Sequence, residues 1–321
     1  MTVHDITRPT VILTGPTRGI GSAMVDRLVE HPSRPNLVLL ARDPQALEAV
    51  VSRVRGAGLR ASGIPLELAD LRSVDTALDA LRTEIGLGEV ASPDAVMLNA
   101  GAQFGDRRGM SAQGMEKTFA VNVVAQHALL RGLLPLLAPR SHTVLMGSST
   151  HRGRAQSFGL LPSPRYAPPA ELAEIDHSET GARRQAGGRA YSDSKLALVT
   201  LSHAWARRAA ASGHRLNTYD PGLVPGTGLT RTLPDFALWG WEHVMPAMAL
   251  LPKATTPRNT ARHAVDLLLG DRHSGLHDGY VEIGRVTLAA EPTFDLARQE
   301  ELFAWVETRF PAHSERSDAA V

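Results

Sequence analysis

The sequence predicts an α/β protein with a single Rossmann-type, doubly wound parallel sheet that carries helices on both faces. Two observations indicate this fold. Short apolar segments alternate with longer segments of helical spacing, and the apolar segments show no alternation of apolar and polar positions. Strands of that kind belong to a sheet that is buried on both faces. Ligands of such sheets bind at the carboxyl ends of the strands.

About seven strands are expected, several of them continuous apolar runs bounded by glycine, proline or polar residues. They lie within residues 10–15, 36–41, 63–71, 94–101, 142–149, 215–222 and 279–284. Helical spacing, with start and stop signals such as a proline in the first turn or a glycine at the end, marks the segments between and after them. The predicted helices lie within residues 20–30, 44–58, 73–85, 110–138, 190–211, 258–269 and 293–310.

Residues 1–321 are expected to form one dinucleotide-binding and catalytic domain, because no repeat or linker divides the chain. Two long segments rich in proline and glycine interrupt the alternation, at residues 150–189 and 223–257. Loops of that length in compact domains are usually functional or disordered. We interpret residues 150–189 as an insertion and residues 223–257 as a substrate lid. Residues 1–9 and 312–321 are expected to be disordered.

Composition excludes several classes of function. The net charge is +1, which gives no polyanion-binding character, so no nucleic-acid partner is expected. The chain has no cysteine, which excludes disulfides, thiolate metal ligands and cysteine catalysis. Its 13 histidines show no spacing typical of a metal site, so no metal is expected. With no signal segment and no apolar run of membrane-spanning length, a cytoplasmic location without a membrane span is expected.

The first strand runs into the sequence TGPTRGIG at residues 14–21. Gly15 allows a tight turn, Gly19 lets a pyrophosphate approach the backbone, and Gly21 lets helix and strand pack closely. The helix that follows presents free N–H groups and a partial positive charge to the phosphates. Glycine turns are common, but this one occupies the first strand–helix turn of a repeating α/β chain, so it predicts nucleotide binding.

Three ordered motifs give the chain a close resemblance to the short-chain dehydrogenase/reductase family, over about residues 10–285. They are the glycine turn, the sequence NAG at residues 99–101 and the sequence YSDSK at residues 191–195. The retinol-dehydrogenase and protochlorophyllide-reductase branches are the most similar in pattern, because of the long segment before Tyr191 and the sequence DPGLVPGTGLTR. The light-driven activity of the second branch depends on a cysteine, so it is set aside.

The resemblance implies a nicotinamide cofactor held at the carboxyl edge of the sheet. Its contacts are expected in the glycine turn, at the ends of the second to fourth strands, in the catalytic helix and in the loop after the sixth strand. The residues concerned are Gly15, Thr17, Arg18, Gly19, Ile20, Gly21, Arg42, Asp70, Leu71, Asn99, Ala100, Gly101, Tyr191, Lys195, Pro221, Gly222, Val224 and Thr227.

The cofactor is predicted to be NADP(H). The second strand is expected to end at Ala41, in the place where NAD-binding family members carry an aspartate, so Arg42 is the first residue over the adenine ribose. Arg42 and Arg18 are suited to a 2′-phosphate. The alternative is that both arginines are surface residues and that Asp43 caps the next helix. Asp70 is likewise either the adenine-contacting aspartate that the resemblance implies or a helix N-cap.

Tyr191 precedes Lys195 by four residues on a predicted helix, so both side chains lie on one face. A nearby ammonium favours the phenolate and lowers the pKa of a tyrosine from its ordinary value of about 10. We therefore predict that Tyr191 transfers a proton and that Lys195 lowers its pKa. The alternative is a solvated pair on a helix surface.

The resemblance implies two further catalytic residues. Ser149 would orient the carbonyl, with the adjacent Ser148 making backbone or cofactor contacts, and Asn122 would belong to the proton relay. The alternative for Asn122 is an ordinary buried polar residue that makes a helix hydrogen bond. His151 either reaches the substrate mouth or is a surface histidine.

The expected reaction is NADP(H)-dependent reduction of a carbonyl in a hydrophobic small molecule, or oxidation of the matching alcohol. The hydrophobic class rests on the apolar residues of the predicted lid, unless they cover the core instead. A net non-redox enzyme (epimerase, dehydratase or cyclase) and an NADP(H)-binding regulator are the alternatives. Helices 114–138 and 190–211 resemble those that pair in family dimers, so a monomer or a homodimer is expected. The lid residues are Phe236, Trp239, Trp241 and Met245.

Overall fold

The computed structural model describes residues 8–157, 159, 161–175, 183–224 and 255–309. Its strands form one sheet in the order β3-β2-β1-β4-β5-β6-β7-β8. All neighbouring pairs from β3 to β7 are parallel, and only β8 runs antiparallel to β7. The strands are β1 Thr10–Thr14, β2 Asn36–Ala41, β3 Ala61–Pro65, β4 Ala95–Leu98, β5 His142–Met146, β6 Arg215–Asp220, β7 Tyr280–Glu282 and β8 Arg285–Thr287.

Helices cover both faces of this sheet, which confirms the predicted fold class. One buried cluster packs β1, β4 and β5 against helices on one face, and a second cluster packs the alternate residues of the same strands against helices on the other. We number the helices α1 Gly19–Val29, α2 Pro44–Gly56, α3 Leu71–Gly86, α4 Lys117–Leu136, α5 Pro169–Ala173, α6 Arg183–Ala210, α7 Pro257–Leu268 and α8 Leu296–Glu307.

Three elements differ from the sequence-based expectation. Strand β3 begins earlier and ends at Pro65, although Leu66 and Leu68 beyond it are buried. Strand β8 has three residues, and its side chains are largely exposed, so it carries no apolar run that could reveal it. Helix α6 begins at Arg183 instead of residue 190. The glycines before residue 190 indicated a loop. Gly187 instead allows close packing inside the helix, because a Cβ there would lie 2.5 Å from the Phe104 carbonyl oxygen.

Helix α4 contains a π-helical turn over Ala120–Val124, between an α-helical start and end. Its 20 residues, Lys117–Leu136, are long and apolar enough, by length and composition alone, to cross a membrane. In the fold, 72% of the apolar window is buried inside the protein. This helix is therefore part of the core.

Helix α8 covers the outer face of α4 and α6. Trp305 lies edge-on to Phe119 with ring centroids 5.8 Å apart, and Phe303 contacts Trp205 at 5.1 Å. His127 Nε2 on α4 lies 2.7 Å from a carboxylate oxygen of Glu307. A helix of the same chain thus packs on α4 and α6, the helices that resemble those pairing in family dimers. The oligomeric state, a monomer or a homodimer, remains a prediction.

The two long segments are described to different extents. In the insertion, residues 150–157, 159, 161–175 and 183–189 are described, and they include α5 and the first turns of α6. Most of the predicted lid lies outside the described residues. The same holds for Thr227, for the four apolar lid residues, for residues 1–7 and for residues 310–321.

Candidate active site

The glycine turn between β1 and α1 has the backbone that its sequence predicts. Gly15 and Gly19 have φ values of 70° and 55°, a region that residues with a Cβ rarely enter. A Cβ on Gly21 would lie 1.8 Å from the Gly15 carbonyl oxygen, so only glycine allows this close approach of helix and turn. The backbone of the turn beside the first turn of α1 is therefore not covered by side chains at these three glycines.

The end of β4 holds the glycine turn in place. Asn99 Nδ2 donates to the carbonyl oxygens of Thr14 and Gly15 at 2.9 and 3.1 Å. The Ala100 N–H donates to Thr14 Oγ1 at 2.9 Å. At the start of α1, the exposed Arg18 is the N-cap, and within the described part of the chain its side chain makes no capping hydrogen bond. The first N–H groups of α1 are thus left for a ligand.

Strand β2 ends at Ala41, as predicted, and Arg42 follows it as an exposed residue. Arg42 Nε lies 3.7 Å from an oxygen of Glu67, a carboxylate that the sequence analysis did not connect with this position. Asp43 accepts hydrogen bonds from the Gln45 and Ala46 N–H groups, so it is the N-cap of α2.

Asp70 is the N-cap of α3, one of its two predicted roles. Its carboxylate accepts hydrogen bonds from the Arg72 N–H at 3.0 Å and from Gln113 Nε2 at 2.9 Å. These contacts and the Arg72 guanidinium lower the pKa of Asp70 to about 2. The adjacent Leu71 N–H donates to Gln113 Oε1 at 3.1 Å. Both residues lie at the carboxyl edge of the sheet, after β3.

Asn122 lies inside the π-helical turn of α4 and is buried. Its Oδ1 accepts the Ala102 N–H, and its Nδ2 donates to the Ala102 carbonyl oxygen, both at 2.8 Å. Nδ2 also donates to Ser194 Oγ on α6 at 3.0 Å. Turns of this kind often mark functional sites, because the extra residue turns one side chain out of the helical pattern. Asn122 consequently ties the loop after β4 to the helix that carries Tyr191.

Lys195 is buried on α6 and points at the sheet edge. Its Nζ donates to the carbonyl oxygen of Met146, the last residue of β5, at 2.7 Å. A Cβ on Gly101 would lie 3.7 Å from this Nζ, so the end of β4 passes beside the ammonium. Burial lowers the pKa of Lys195 to about 8, and the Asp220 carboxylate raises it.

Tyr191 lies one helical turn before Lys195, and the lysine Nζ is 5.7 Å from the centre of its ring. Burial raises the pKa of Tyr191 to about 12, the Ser148 hydroxyl lowers it by hydrogen bonding, and Asp220 raises it. The net shift of the Tyr191 pKa in the protein alone is upward, and its lowering by Lys195 together with the oxidised cofactor stays a prediction. A lysine with a pKa of about 8 has lost its proton before a tyrosine with a pKa of about 12 begins to titrate.

The Ser148 hydroxyl lowers the pKa of Tyr191 by hydrogen bonding, whereas the orienting role expected of Ser149 stays a prediction. Ser148 has extended backbone and caps the short 3₁₀ helix Ser149–Arg152, with Thr150 Oγ1 donating to its Oγ at 3.1 Å. The structure gives the Ser149 hydroxyl no hydrogen bond to a described residue.

His151 is neither at the substrate mouth nor on the surface, because it is 1% exposed. Its Nδ1 lies 2.6 Å from the Ser148 carbonyl oxygen, and its Nε2 accepts the Ala290 N–H at 3.1 Å. These partners require the neutral ring with the proton on Nδ1. Burial lowers the pKa of His151 to about 4, in agreement with that state.

The loop after β6 begins at Pro221. Gly222 has a φ of 67°, and its N–H donates to Asp220 Oδ1 at 2.9 Å. The Leu223 carbonyl oxygen accepts the Thr255 N–H at 3.0 Å, and Val224 is buried. This loop reaches the edge where β5 and α6 bring Ser148, Tyr191 and Lys195 together.

Two residues near the site were missed from the sequence. Asp220 is fully buried at the end of β6, and Tyr280 on β7 donates to it. A carboxylate at the end of a predicted strand was an available signal for Asp220. For Tyr280 no comparable signal existed, because only the sheet order places β7 beside β6.

The comparisons with known proteins agree with this geometry. A family model described as short chain dehydrogenase matches residues 9–159. The chain is 28% identical over 234 residues to a short-chain dehydrogenase/reductase from Pestalotiopsis microspora, covering 70% of this chain and 72% of that protein. It is 26% identical over 280 residues to the human 3-keto-steroid reductase/17-beta-hydroxysteroid dehydrogenase 7, covering 76% of this chain and 73% of that protein.

Among solved structures, an NADPH-bound carbonyl reductase from chicken fatty liver matches with a TM-score of 0.63. The match covers 88% of this chain and 99% of that chain at 17% identity. At this level of identity the likeness concerns the fold.

Proposed function

Because the chain is an enzyme of the short-chain dehydrogenase/reductase family, we propose that it is an NADP(H)-dependent oxidoreductase. It reduces a carbonyl of a hydrophobic small molecule or oxidises the matching alcohol. The observation that carries the proposal is the meeting of Tyr191, Ser148, Lys195 and Asn122 around the end of β4. The similarity to a 3-keto-steroid reductase and to an NADPH-bound carbonyl reductase supports the reaction class.

The residues present fit a dinucleotide. The glycine turn is a cradle that a Cβ would fill, and the first N–H groups of α1 suit a pyrophosphate. Arg42 and Arg18 are exposed cations after β2 and before α1, which favours a 2′-phosphate and hence NADP(H). Lys195 and the loop from Pro221 to Val224 would hold the nicotinamide end. When bound, the cofactor supplies the hydride.

Tyr191 is the proton donor in the reducing direction. With its pKa raised to about 12 by burial, the phenol keeps its proton at neutral pH. Ser148, which already hydrogen-bonds to this phenol, is placed to donate to the same substrate oxygen. Asn122 hydrogen-bonds to the loop after β4 and to Ser194 on α6. It thereby fixes the position of the helix that carries Tyr191 and Lys195 relative to that loop. We assign Ser148 the role that the resemblance gives to Ser149.

The test measures oxidation of NADPH and NADH with a panel of hydrophobic ketones and aldehydes, 3-keto-steroids included, and the mass of each product. We expect NADPH-dependent turnover with a gain of two hydrogens, lost in Tyr191→Phe. Tyr166→Phe is the matched control, because the exposed Tyr166 donates to Glu301 and lies outside the site. Turnover without a change in product mass would instead support a net non-redox enzyme, and a preference for NADH would contradict the assignment of Arg42.

A further inference from the structure

A buried polar cluster lies at the sheet edge next to Tyr191 and Lys195. Its centre is Asp220, the last residue of β6, which is 0% exposed. One carboxylate oxygen accepts the Tyr280 hydroxyl at 2.7 Å, and the other accepts the Gly222 N–H at 2.9 Å. Burying an ion without partners is costly, and these two donors favour the ionised form.

Tyr280 connects this carboxylate to the serine that faces Tyr191. A Cβ on Gly147 would lie 3.3 Å from Tyr280 Cε2, so the tyrosine ring fills the space beneath the residue before Ser148. The same ring lies 4.8 Å from the His151 ring, and His151 holds the Ser148 carbonyl oxygen at 2.6 Å. The cluster therefore fixes the backbone of Ser148 from the side of the sheet edge.

The strand register brings Asp220 to Lys195. Met146 pairs with Tyr219, and the Gly147 N–H donates to the Tyr219 carbonyl oxygen at 2.7 Å. Lys195 Nζ donates to the Met146 carbonyl oxygen. Asp220 thus directly follows Tyr219, the strand partner of Met146, whose carbonyl oxygen accepts the Lys195 ammonium. Its charge raises the pKa of Lys195 and also the pKa of Tyr191.

Other charged groups in the cluster are already paired. Arg152 Nη1 lies 2.7 Å from a Glu282 oxygen, and its guanidinium carbon lies 4.7 Å from the centre of the Tyr280 ring. Burial raises the pKa of Asp220, its hydrogen bonds with Tyr280 and Gly222 lower it, and Glu282 raises it while Arg152 lowers it. The titratable or charged groups that act on Asp220 or respond to it are Tyr280 and Glu282 on β7, Arg152 after β5, Tyr219 on β6, and Tyr191 and Lys195 on α6.

We propose that Asp220 is a positioning residue whose buried negative charge holds the protons on Tyr191 and Lys195. This inference rests on the proposed function and deepens it, because a protonated tyrosine is the form that donates a proton in carbonyl reduction. An anion beside the pair opposes loss of a proton from either group, since each deprotonation removes a positive charge or adds a negative one. The structure thereby favours the reducing direction.

The test reads the charge of Lys195 directly. The chain has three lysines, Lys117, Lys195 and Lys253, so lysine-selective ¹³C labelling gives three signals to follow from pH 6 to pH 10.5. Loss of one signal in Lys195→Arg assigns Lys195. We expect Lys195 to titrate at about pH 8 in the parent protein. In Asp220→Asn it should titrate lower by about one pH unit.

Glu282→Gln is the matched control, because it removes a carboxylate of the same cluster that pairs with Arg152. It should leave the Lys195 titration in place. Where Asp220→Asn does not fold, Asp220→Ser replaces it, since a serine hydroxyl can still accept the Gly222 N–H. An unchanged titration of Lys195 in a folded neutral variant of Asp220 would overturn the proposal.

A second readout uses the reaction. The alkaline fall of kcat for reduction should move to lower pH by about one unit in Asp220→Asn, and it should stay in place in Glu282→Gln. If Asp220 had only a structural role, Asp220→Asn would lower kcat at every pH and would leave the pH of the alkaline fall unchanged. Because the lysine titration needs no substrate, a wrong substrate class or a wrong reaction would leave the first test intact.

Discussion

Asn122 and Ala102 exchange two hydrogen bonds of 2.8 Å, one in each direction between the amide side chain and the backbone. This pairing presses the loop after β4 onto the π-helical turn of α4. Gly101 lies directly before Ala102, and a Cβ there would be 3.0 Å from Asn122 Oδ1. The absence of a side chain at Gly101 is therefore a condition for the geometry of Asn122 and Lys195.

Gly101→Ala tests this condition. The added methyl group would lie 3.0 Å from Asn122 Oδ1, so Asn122 must shift, and we expect cofactor affinity and kcat each to fall at least about tenfold. Gly86→Ala is the control, because no atom lies within 4 Å of a Cβ at the end of α3, and there the protein should gain about 0.4–1 kcal/mol. Cofactor titration, steady-state kinetics and urea unfolding measure these effects. A Gly101→Ala enzyme with parental kinetics would contradict the argument.

The adjacent serines give a matched pair of variants. Ser148→Ala removes the hydroxyl that hydrogen-bonds to Tyr191, and we expect kcat to fall by about 100-fold or more, as for loss of one oxyanion donor. Ser149→Ala should change kcat by less than about threefold. Steady-state kinetics with one ketone separates the two. The opposite order would restore Ser149 as the residue that orients the carbonyl.

Cofactor preference should depend on Arg42 and its neighbour. Arg42→Ala removes a charge-assisted contact to a 2′-phosphate, so the ratio of kcat/KM for NADPH to that for NADH should fall about tenfold or more. Glu67→Gln should raise the ratio, because the carboxylate 3.7 Å from Arg42 Nε competes with a phosphate for the guanidinium. If both variants keep the parental ratio, the 2′-phosphate is held elsewhere or the cofactor is NAD.

The buried His142 predicts a pH dependence of stability. Its Nδ1 lies 3.1 Å from the Leu268 carbonyl oxygen, and burial lowers its pKa to about 4. The unfolded chain, with an ordinary histidine pKa near 6.5, binds the proton first as the pH falls, so this contribution to folding is present above pH 6.5 and is lost toward pH 4.

Urea unfolding at pH 7.5 and pH 5 measures the effect against His142→Gln. The difference in unfolding free energy between parent and variant should change by up to about 2 kcal/mol in favour of the variant at pH 5. An equal difference at both pH values would mean that His142 is not neutral in the folded state.

The local pattern of the sequence predicted much of the fold and part of the site. The continuous apolar runs identified strands such as β1 and β2, because a strand buried on both faces is mostly apolar. The glycine turn was predicted for a similar reason, since the backbone at Gly15 and Gly19 admits few other residues. Asp43 and Asp70 as helix caps were among the stated alternatives, because a cap depends on residues within one turn.

Long-range packing decided the rest. Neither the burial of His151 nor the contact between Asp220 and Tyr280 follows from spacing, since each depends on strands brought together by the sheet order. The sequence by itself determined the candidates for dinucleotide binding and proton transfer. Only the tertiary structure decided the direction of the pKa shifts of Tyr191 and Lys195, because burial and a carboxylate from another strand act through space and leave no periodic trace in the chain.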